Sequence, residues 1–394
     1  MTVGGSEVTI VLTGGGSGGH ITPLLAIASE LKKEKPGIKL VYISQKGDNL
    51  ADIPAKDSNI DQIFSVRAGK FRRYHGEGPW QFLNPLTVAL NIRDAIYVKI
   101  GFLQSYLLFK KIRPDMIFSR GGYVSVPVCL AAKLRGVKYI THDSDPVPSL
   151  TNKIIGRWAE LNLVSAPKEF YPYAPDKTIN TGVPVSHKFE LINAELRSKY
   201  RQKLNIGQKD KLLFVIGGGL GAQSINKAMV NIAPNLLTEF DDLRVVHIVG
   251  RGNEGSVLED YDTLEPGKRE RVEIISFTDK VYLYSGAADL IITRAGATNL
   301  AEFEIQGVPC IVIPSSFLVA GHQLKNAQIL KDSQAVAIVD GQQLDKDPNI
   351  LAKEVSRLLN NPKERHQLGL ELAKMAHPKA GHEIASIILK TAEA

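Results

Sequence analysis

Four polar groups in this chain stand where a strand gives way to small residues, the kind of place where chemistry is done. His20 closes the run Gly14-Gly15-Gly16-Ser17-Gly18-Gly19. An imidazole titrates near neutrality and so suits proton transfer. A glycine turn opening a helix presents N–H groups and the positive end of the helix dipole to an anion. Asp143-Ser144-Asp145 follows a second apolar run. Two carboxylates so spaced hold a divalent cation or, with Pro146 behind them, close a helix-capping turn. Glu302 comes one turn after Arg294-Ala295-Gly296-Ala297-Thr298-Asn299. There the N–H groups of a new helix suit phosphate, and the carboxylate suits the two hydroxyls of a ribose. Gln323, behind Gly321 and His322, adds a polar side chain after the next strand.

These groups need a scaffold, and the sequence describes one. Val8–Thr13 is β-prone and runs into the glycine turn, after which Leu24, Leu25, Ile27, Ala28 and Leu31 mark a helix with Pro23 near its first turn. Strand and helix signals then alternate: strands at 39–44, 60–66, 116–119 and 138–142, and a long helix over 85–111. Lys211–Ile216 enters Gly217-Gly218-Gly219-Leu220-Gly221-Ala222, which repeats the opening device, and strands at 243–249, 272–277, 289–293 and 310–314 follow. Repeated βα units predict an α/β protein with parallel, doubly wound sheets. Tyr171–Pro184, rich in Pro and Tyr, reads as the linker between two such halves. The expected domains are 1–184, 185–376 and a C-terminal helix over 377–394 that returns to the first half. A length of 394 residues suits two domains.

Gly14-x-Gly16-x-x-Gly19 and Gly217-x-Gly219-x-x-Ala222 both match the dinucleotide fingerprint in form. That site needs an acidic residue at the end of the following strand, about 20 residues on. The strands in question end Ser44-Gln45-Lys46 and Gly250-Arg251, and neither loop carries the Lys-Ser/Thr pair of a P-loop. NAD binding and ATP hydrolysis are therefore set aside.

Charge is uneven. Residues 1–185 carry 23 Lys and Arg against 15 Asp and Glu, whereas the remainder carries 25 against 26. Residues 64–113 alone hold nine basic and two acidic side chains, with Arg72 and Arg73 beside Trp80, Phe82 and Leu83. Basic residues interleaved with long apolar ones suit an anionic membrane surface. They do not form the regular basic face of a nucleic-acid binder, so no nucleic-acid partner is expected. The longest apolar stretch, Ile96–Phe109, is interrupted by Lys99 and Gln104 and falls short of the ~20 residues a spanning helix needs. No signal peptide is expected. Cys129 and Cys310, each within an apolar stretch, form neither a disulfide framework nor a metal cluster and point to a reducing cytosol.

Taken together, G-G-G-S-G-G-H-I-T-P, S-R-G-G-Y-V-S-V-P, H-D-S-D-P-V-P-S-L-T-N-K, G-V-P-V, G-G-G-L-G-A, R-A-G-A-T-N-L-A-E and G-H-Q-L-K-N-A occur in the order of the MurG family, which the chain resembles over nearly its whole length. The resemblance implies a GT-B fold, two Rossmann-like domains whose parallel sheets face across a cleft. It implies an inverting, peripheral enzyme on the cytoplasmic face of the bacterial membrane. The implied reaction moves N-acetylglucosamine from UDP-N-acetylglucosamine to a muramoyl-pentapeptide on undecaprenyl diphosphate, with no cofactor required and a divalent metal only an option.

By the same resemblance His20 is the base or its essential neighbour. Ser17, Gly18 and Gly19 face the transferred sugar and the acceptor diphosphate, and Gly16, Tyr123 and Asn152 lie on the acceptor side. Asp145, Gly219, Thr278, the run Ala297, Thr298, Asn299, Leu300, Ala301 and Glu302, and Gln323 attend the donor. Arg72, Arg73, Trp80 and Phe82 fall on the membrane face. Three stretches depart from the family pattern: Asp145 replaces an amide, Ser186 an arginine, and Gly219-Leu220 a serine and glutamine. They leave two further readings open, a relative using another UDP-sugar or glycolipid and a silent scaffold that binds nucleotide-sugar.

Overall fold

The computed structural model describes residues 8–15, 18–71, 84–315 and 321–394. Gly16, Ser17, Arg72, Arg73, Trp80 and Phe82 lie outside the described residues. The chain divides into two compact units, Met1–Ser186 with His377–Ala394, and His187–Ala376.

The first unit is built on seven strands, β1 (Thr9–Thr13), β2 (Lys39–Gln45), β3 (Gln62–Val66), β4 (Met116–Ser119), β5 (Lys138–Asp143), β6 (Leu161–Val164) and β7 (Thr178–Asn180). They lie in the order β3-β2-β1-β4-β5-β6-β7, and each pairing is parallel. The second unit has six, β8 (Lys211–Ile216), β9 (Leu243–Ile248), β10 (Val272–Ile275), β11 (Leu290–Thr293), β12 (Cys310–Val312) and β13 (Ala337–Ile338), in the order β10-β9-β8-β11-β12-β13, again all parallel. A doubly wound parallel sheet buries both faces, which is why these strands read as continuous apolar runs. On β1, Ile10 and Leu12 join one core and Val11 the other. On β8, Leu213 and Val215 face one side and Leu212, Phe214 and Ile216 the opposite one.

Strand order reverses between β1 and β4 in one sheet and between β8 and β11 in the other. Chain segments leaving such neighbours diverge to opposite faces and open a crevice at the carboxyl ends of the strands. The first crevice receives the turns after Thr13 and Ser119, the second those after Ile216 and Thr293.

The last helix, Ala380–Glu393, packs on helix Gly18–Glu34. Ile384 and Ile388 are fully buried there beside Leu24 and Leu31. At about 1.5–3 kcal/mol for each large side chain buried, this seam is a substantial part of the first unit's core.

Two local expectations are corrected. Tyr171–Pro184 is not a linker: it contains β7, which pairs with β6 at Asn162↔Thr178, and the stacked, inward rings of Tyr171 and Tyr173. A three-residue edge strand is too short to show alternation, and its prolines and tyrosines mimic a loop. Pro23 lies inside its helix rather than near the first turn, because that helix begins at Gly18.

Candidate active site

In the first unit the turns after β1 and β4 nest against each other. Gly122 has φ +81°, and a Cβ there would lie 2.8 Å from the oxygen of Gly15, so the approach depends on the missing side chain. Tyr42 on β2 holds the first turn by donating its hydroxyl to Gly14 O at 2.7 Å. Helix Gly18–Glu34 therefore starts directly beside Arg120, and His20 sits in its first turn, half-buried.

His20 Nδ1 lies 3.0 Å from the main-chain oxygen of Arg120. A carbonyl only accepts, so Nδ1 carries the proton and Nε2 keeps the lone pair. Burial first, and then the Arg120 guanidinium, push the His20 pKa down to about 4, while the Asp145 carboxylate opposes them. The imidazole is thus neutral at physiological pH, in the tautomer a proton acceptor requires.

Arg120 is 3% exposed. Its Nη2 donates to Gly19 O at 3.1 Å and its Nη1 to His142 Nδ1. His142 Nε2 in turn donates to Gly182 O at 2.8 Å. Burial and the arginine hold His142 well below its ordinary pKa, so it is neutral as well.

Asp143 ends β5 with both carboxylate oxygens engaged. Oδ1 accepts from Asn152 Nδ2 at 2.9 Å and from Ser149 N at 3.3 Å, and Oδ2 accepts from the Tyr173 hydroxyl at 2.6 Å. Ser149 caps the helix Leu150–Ile155, so the first carboxylate of the D-x-D pattern closes a capping turn. Burial raises the Asp143 pKa to about 6 against the pull of those hydrogen bonds. Asn152 is committed to β5, its Nδ2 also reaching His142 O at 3.0 Å, while its buried Oδ1 has no partner among the described residues. Tyr123 is half-buried, with the Lys70 ammonium 5.7 Å from its ring centroid.

The second unit gathers another set at its own crevice. Gly296 occupies the cap position of helix Ala297–Gln306 and brings no side chain to the first-turn N–H groups. Arg294, just before it, donates to Ile313 O at 3.2 Å and to Ser224 Oγ, tying the ends of β11 and β12 to the start of helix Gln223–Glu239. Asn326 Nδ2 donates to Ala295 O at 3.0 Å, and Gln323 Oε1 accepts from Ser315 N at 2.9 Å, which fixes helix His322–Asp332 beside that turn. Glu302 is 9% exposed, and burial raises its carboxyl to about 8. Leu300 lies in the core, and its N–H closes the first helical turn onto Gly296 O. Thr278 follows β10, its Oγ1 accepting from Lys280 N at 3.0 Å, and Gly219 lies in the turn after β8.

The glycosyltransferase family 28 N-terminal domain matches residues 10–163, and the family 28 C-terminal domain matches residues 212–384. A protein of Moorella thermoacetica named UDP-N-acetylglucosamine--N-acetylmuramyl-(pentapeptide) pyrophosphoryl-undecaprenol N-acetylglucosamine transferase is 32% identical over 389 residues, covering 98% of this chain and 99% of its own. A protein of the same name from Natranaerobius thermophilus is 30% identical over 382 residues, covering 96% and 98%. The chain belongs to the MurG family.

The crystal structure of Acinetobacter baumannii MurG matches with a TM-score of 0.68 at 22% identity, covering 98% of this chain and 99% of that one, which places the two units in the GT-B fold. Within this MurG-family chain the first unit holds Gly19, His20, Asp145 and Asn152, and the second holds Gly219, Thr278, Ala297–Glu302 and Gln323, each in a segment that follows a strand. Asp145, expected among the donor residues, lies in the first unit, where its charge acts on His20 and Arg120. Arg120 and Arg294 stand in the quoted motifs, yet neither drew a role from the sequence. The available signal was a cation directly after a buried strand and before a small-residue turn.

Proposed function

We propose that this chain transfers N-acetylglucosamine from UDP-N-acetylglucosamine to the muramoyl-pentapeptide carried on undecaprenyl diphosphate, in peptidoglycan synthesis. The observation that carries this reading is likeness at 30–32% identity, over nearly the whole chain, to relatives that bear the name of that reaction.

On this reading the turn of each unit carries one part of the chemistry. The acceptor hydroxyl gives its proton to His20 Nε2 as its oxygen bonds to the anomeric carbon, and the bond from that carbon to the UDP oxygen breaks with its electron pair going to UDP. Attack opposite the leaving group inverts the centre. The imidazolium so formed faces Asp145, and the acceptor's diphosphate adds negative charge near the glycine turn. Both raise the basicity of an imidazole that the empty protein holds low. UDP leaves toward the N-terminal end of helix Ala297–Gln306, whose dipole and N–H groups stabilise its growing charge, so a metal ion is not required. Glu302 receives the ribose hydroxyls, the main chain around Thr278 receives uracil, and Gln323 meets the sugar.

The acceptor is lipid-linked, so the enzyme works peripherally at an anionic membrane surface on the cytoplasmic side. Helix Pro85–Ile112 supports this. Leu86, Ile92, Ile96, Leu103 and Leu107 are each more than half exposed, a costly arrangement in water. Lys110 and Lys111 stand in the last turn, and Arg67 and Arg93 flank Tyr97 at 5.1 and 5.5 Å from its ring centroid. Among the described residues no helix is long and apolar enough to cross a membrane.

The test offers the purified chain UDP-N-acetylglucosamine, UDP-glucose and UDP-galactose with a panel of lipid acceptors, with and without EDTA. Turnover with the first donor and a muramoyl-peptide diphosphate lipid, undiminished by EDTA, is expected. Binding of donor without turnover on any acceptor would overturn the reading in favour of a nucleotide-sugar scaffold.

A further inference from the structure

We propose that Arg120 is a positioning residue for this transfer, clamping the start of helix Gly18–Glu34 and holding His20 in the tautomer and charge state of a base. The proposal rests on the reading of His20 as that base.

The clamp begins with a proline. In an α-helix the N–H of residue 23 would donate to the oxygen of residue 19, but Pro23 has no N–H. The bond from residue 23 to Gly19 O therefore cannot form, and Arg120 Nη2 donates to that oxygen at 3.1 Å. The next residue, His20, gives its Nδ1 proton to the main-chain oxygen of the same arginine at 3.0 Å. One residue thus grips two successive positions of the helix start, one through its side chain and one through its backbone. The second arm of the guanidinium, on His142, passes through that imidazole to Gly182 O, so the arginine is itself held from behind.

Its partners make the charge effective. Gly19 O and His142 Nδ1 are neutral acceptors, and neither quenches the guanidinium as a contacting carboxylate would. The charged groups facing His20 are Arg120 from the turn after β4 and Asp145 from the turn after β5, with Asp143 acting on the arginine behind them. Burial lowers the Arg120 pKa only to about 10, so the cation persists at every working pH. A cation so close opposes protonation of His20 before substrate arrives, while the acceptor's diphosphate, once present, screens it. Arg120 in this way adds to burial in keeping the resting base free of a proton.

The test uses the full chain with 15N-labelled histidine. His20 is titrated by NMR in the wild type, Arg120→Met, Arg120→Gln and Arg120→Lys, and the pH profile of kcat/KM is recorded for each. Arg120→Met should raise the proton affinity of His20 by roughly tenfold or more, the size of effect a close charge exerts. It should shift the acidic limb of the profile upward and reduce kcat by ~10²-fold with little change in donor KM. Arg120→Lys, which keeps the charge, should restore the titration and much of the rate. Should Arg120→Met fail to fold, Arg120→Gln retains a donor for Gly19 O and carries the same expectation. A folded, charge-free variant whose His20 titrates as in the wild type overturns the proposal. His20→Ala in the same series separates the two readings: full activity there removes His20 as the base, while the NMR titration still judges the hold of Arg120 on the imidazole.

Discussion

Gly182 and His377 meet back to back within the first unit: a Cβ on Gly182 would lie 2.5 Å from the Cβ of His377. Gly182 also has φ +75°, a conformation that side chains rarely adopt, and its oxygen is the acceptor for His142. Gly182→Ala should therefore destabilise the protein by about 1–3 kcal/mol, through overpacking and backbone strain together. Denaturant unfolding measures it. In a His377→Gly background the steric part should vanish and the strain remain, so an equal penalty in both backgrounds would refute the contact as its cause.

His20→Ala should lower kcat/KM by ~10²–10⁴-fold, the range expected when a general base is removed. The imidazole is half-buried and, among the described residues, bonds one main-chain oxygen, so the unfolding midpoint should move little. Transfer of labelled sugar reads the first quantity and thermal unfolding the second. Wild-type transfer by the variant would take His20 out of the mechanism.

Glu302 gives a pH signature. Burial raises its carboxyl from the ordinary 4.5 to about 8 in the folded protein. The folded state thus holds a proton that the unfolded chain releases, and stability from this group falls as pH rises from about 4.5 to about 8, then levels off. Glu302→Gln removes the dependence. Relative to the wild type the variant should gain stability across that window, by on the order of 4 kcal/mol at its upper end, since each pKa unit corresponds to about 1.4 kcal/mol. Parallel unfolding of the two proteins at pH 5 and pH 9 is the measurement, and a pH-independent difference would count against a buried, protonated carboxyl.

The apolar face of helix Pro85–Ile112 makes a fourth prediction. Ile96 and Leu103 are 51% and 58% exposed, so replacing both by Glu should change folding stability by no more than about 0.5 kcal/mol each. It removes apolar area and adds charge against an anionic surface. Partition into vesicles containing anionic lipid should weaken by roughly 10–100-fold, the loss of one or two inserted side chains. Flotation of the double variant with vesicles as well as the wild type would argue that another surface docks.

The sequence by itself determined the alternation of strand and helix, the two glycine turns at equivalent places in two halves, and the absence of the acidic partner that NAD requires. These are local matters: period, turn chemistry and spacing lie within 20 or 30 residues of one another, and the parallel sheets follow from them. It also set His20 after the first strand and Glu302 after the strand at 289–293, which is where the fold has them in the chain. Only the tertiary structure decided what each turn touches. Arg120 is 100 residues from His20, and Asp145 is 125, and nothing local says that β4 and β5 bring them to the first helix. The same holds for β7, whose three residues become a strand only because β6 offers an edge to pair with. Pro23 is the instructive case. The sequence put it near the start of a helix; the fold sets it inside one, where Arg120 from across the sheet donates to Gly19 O.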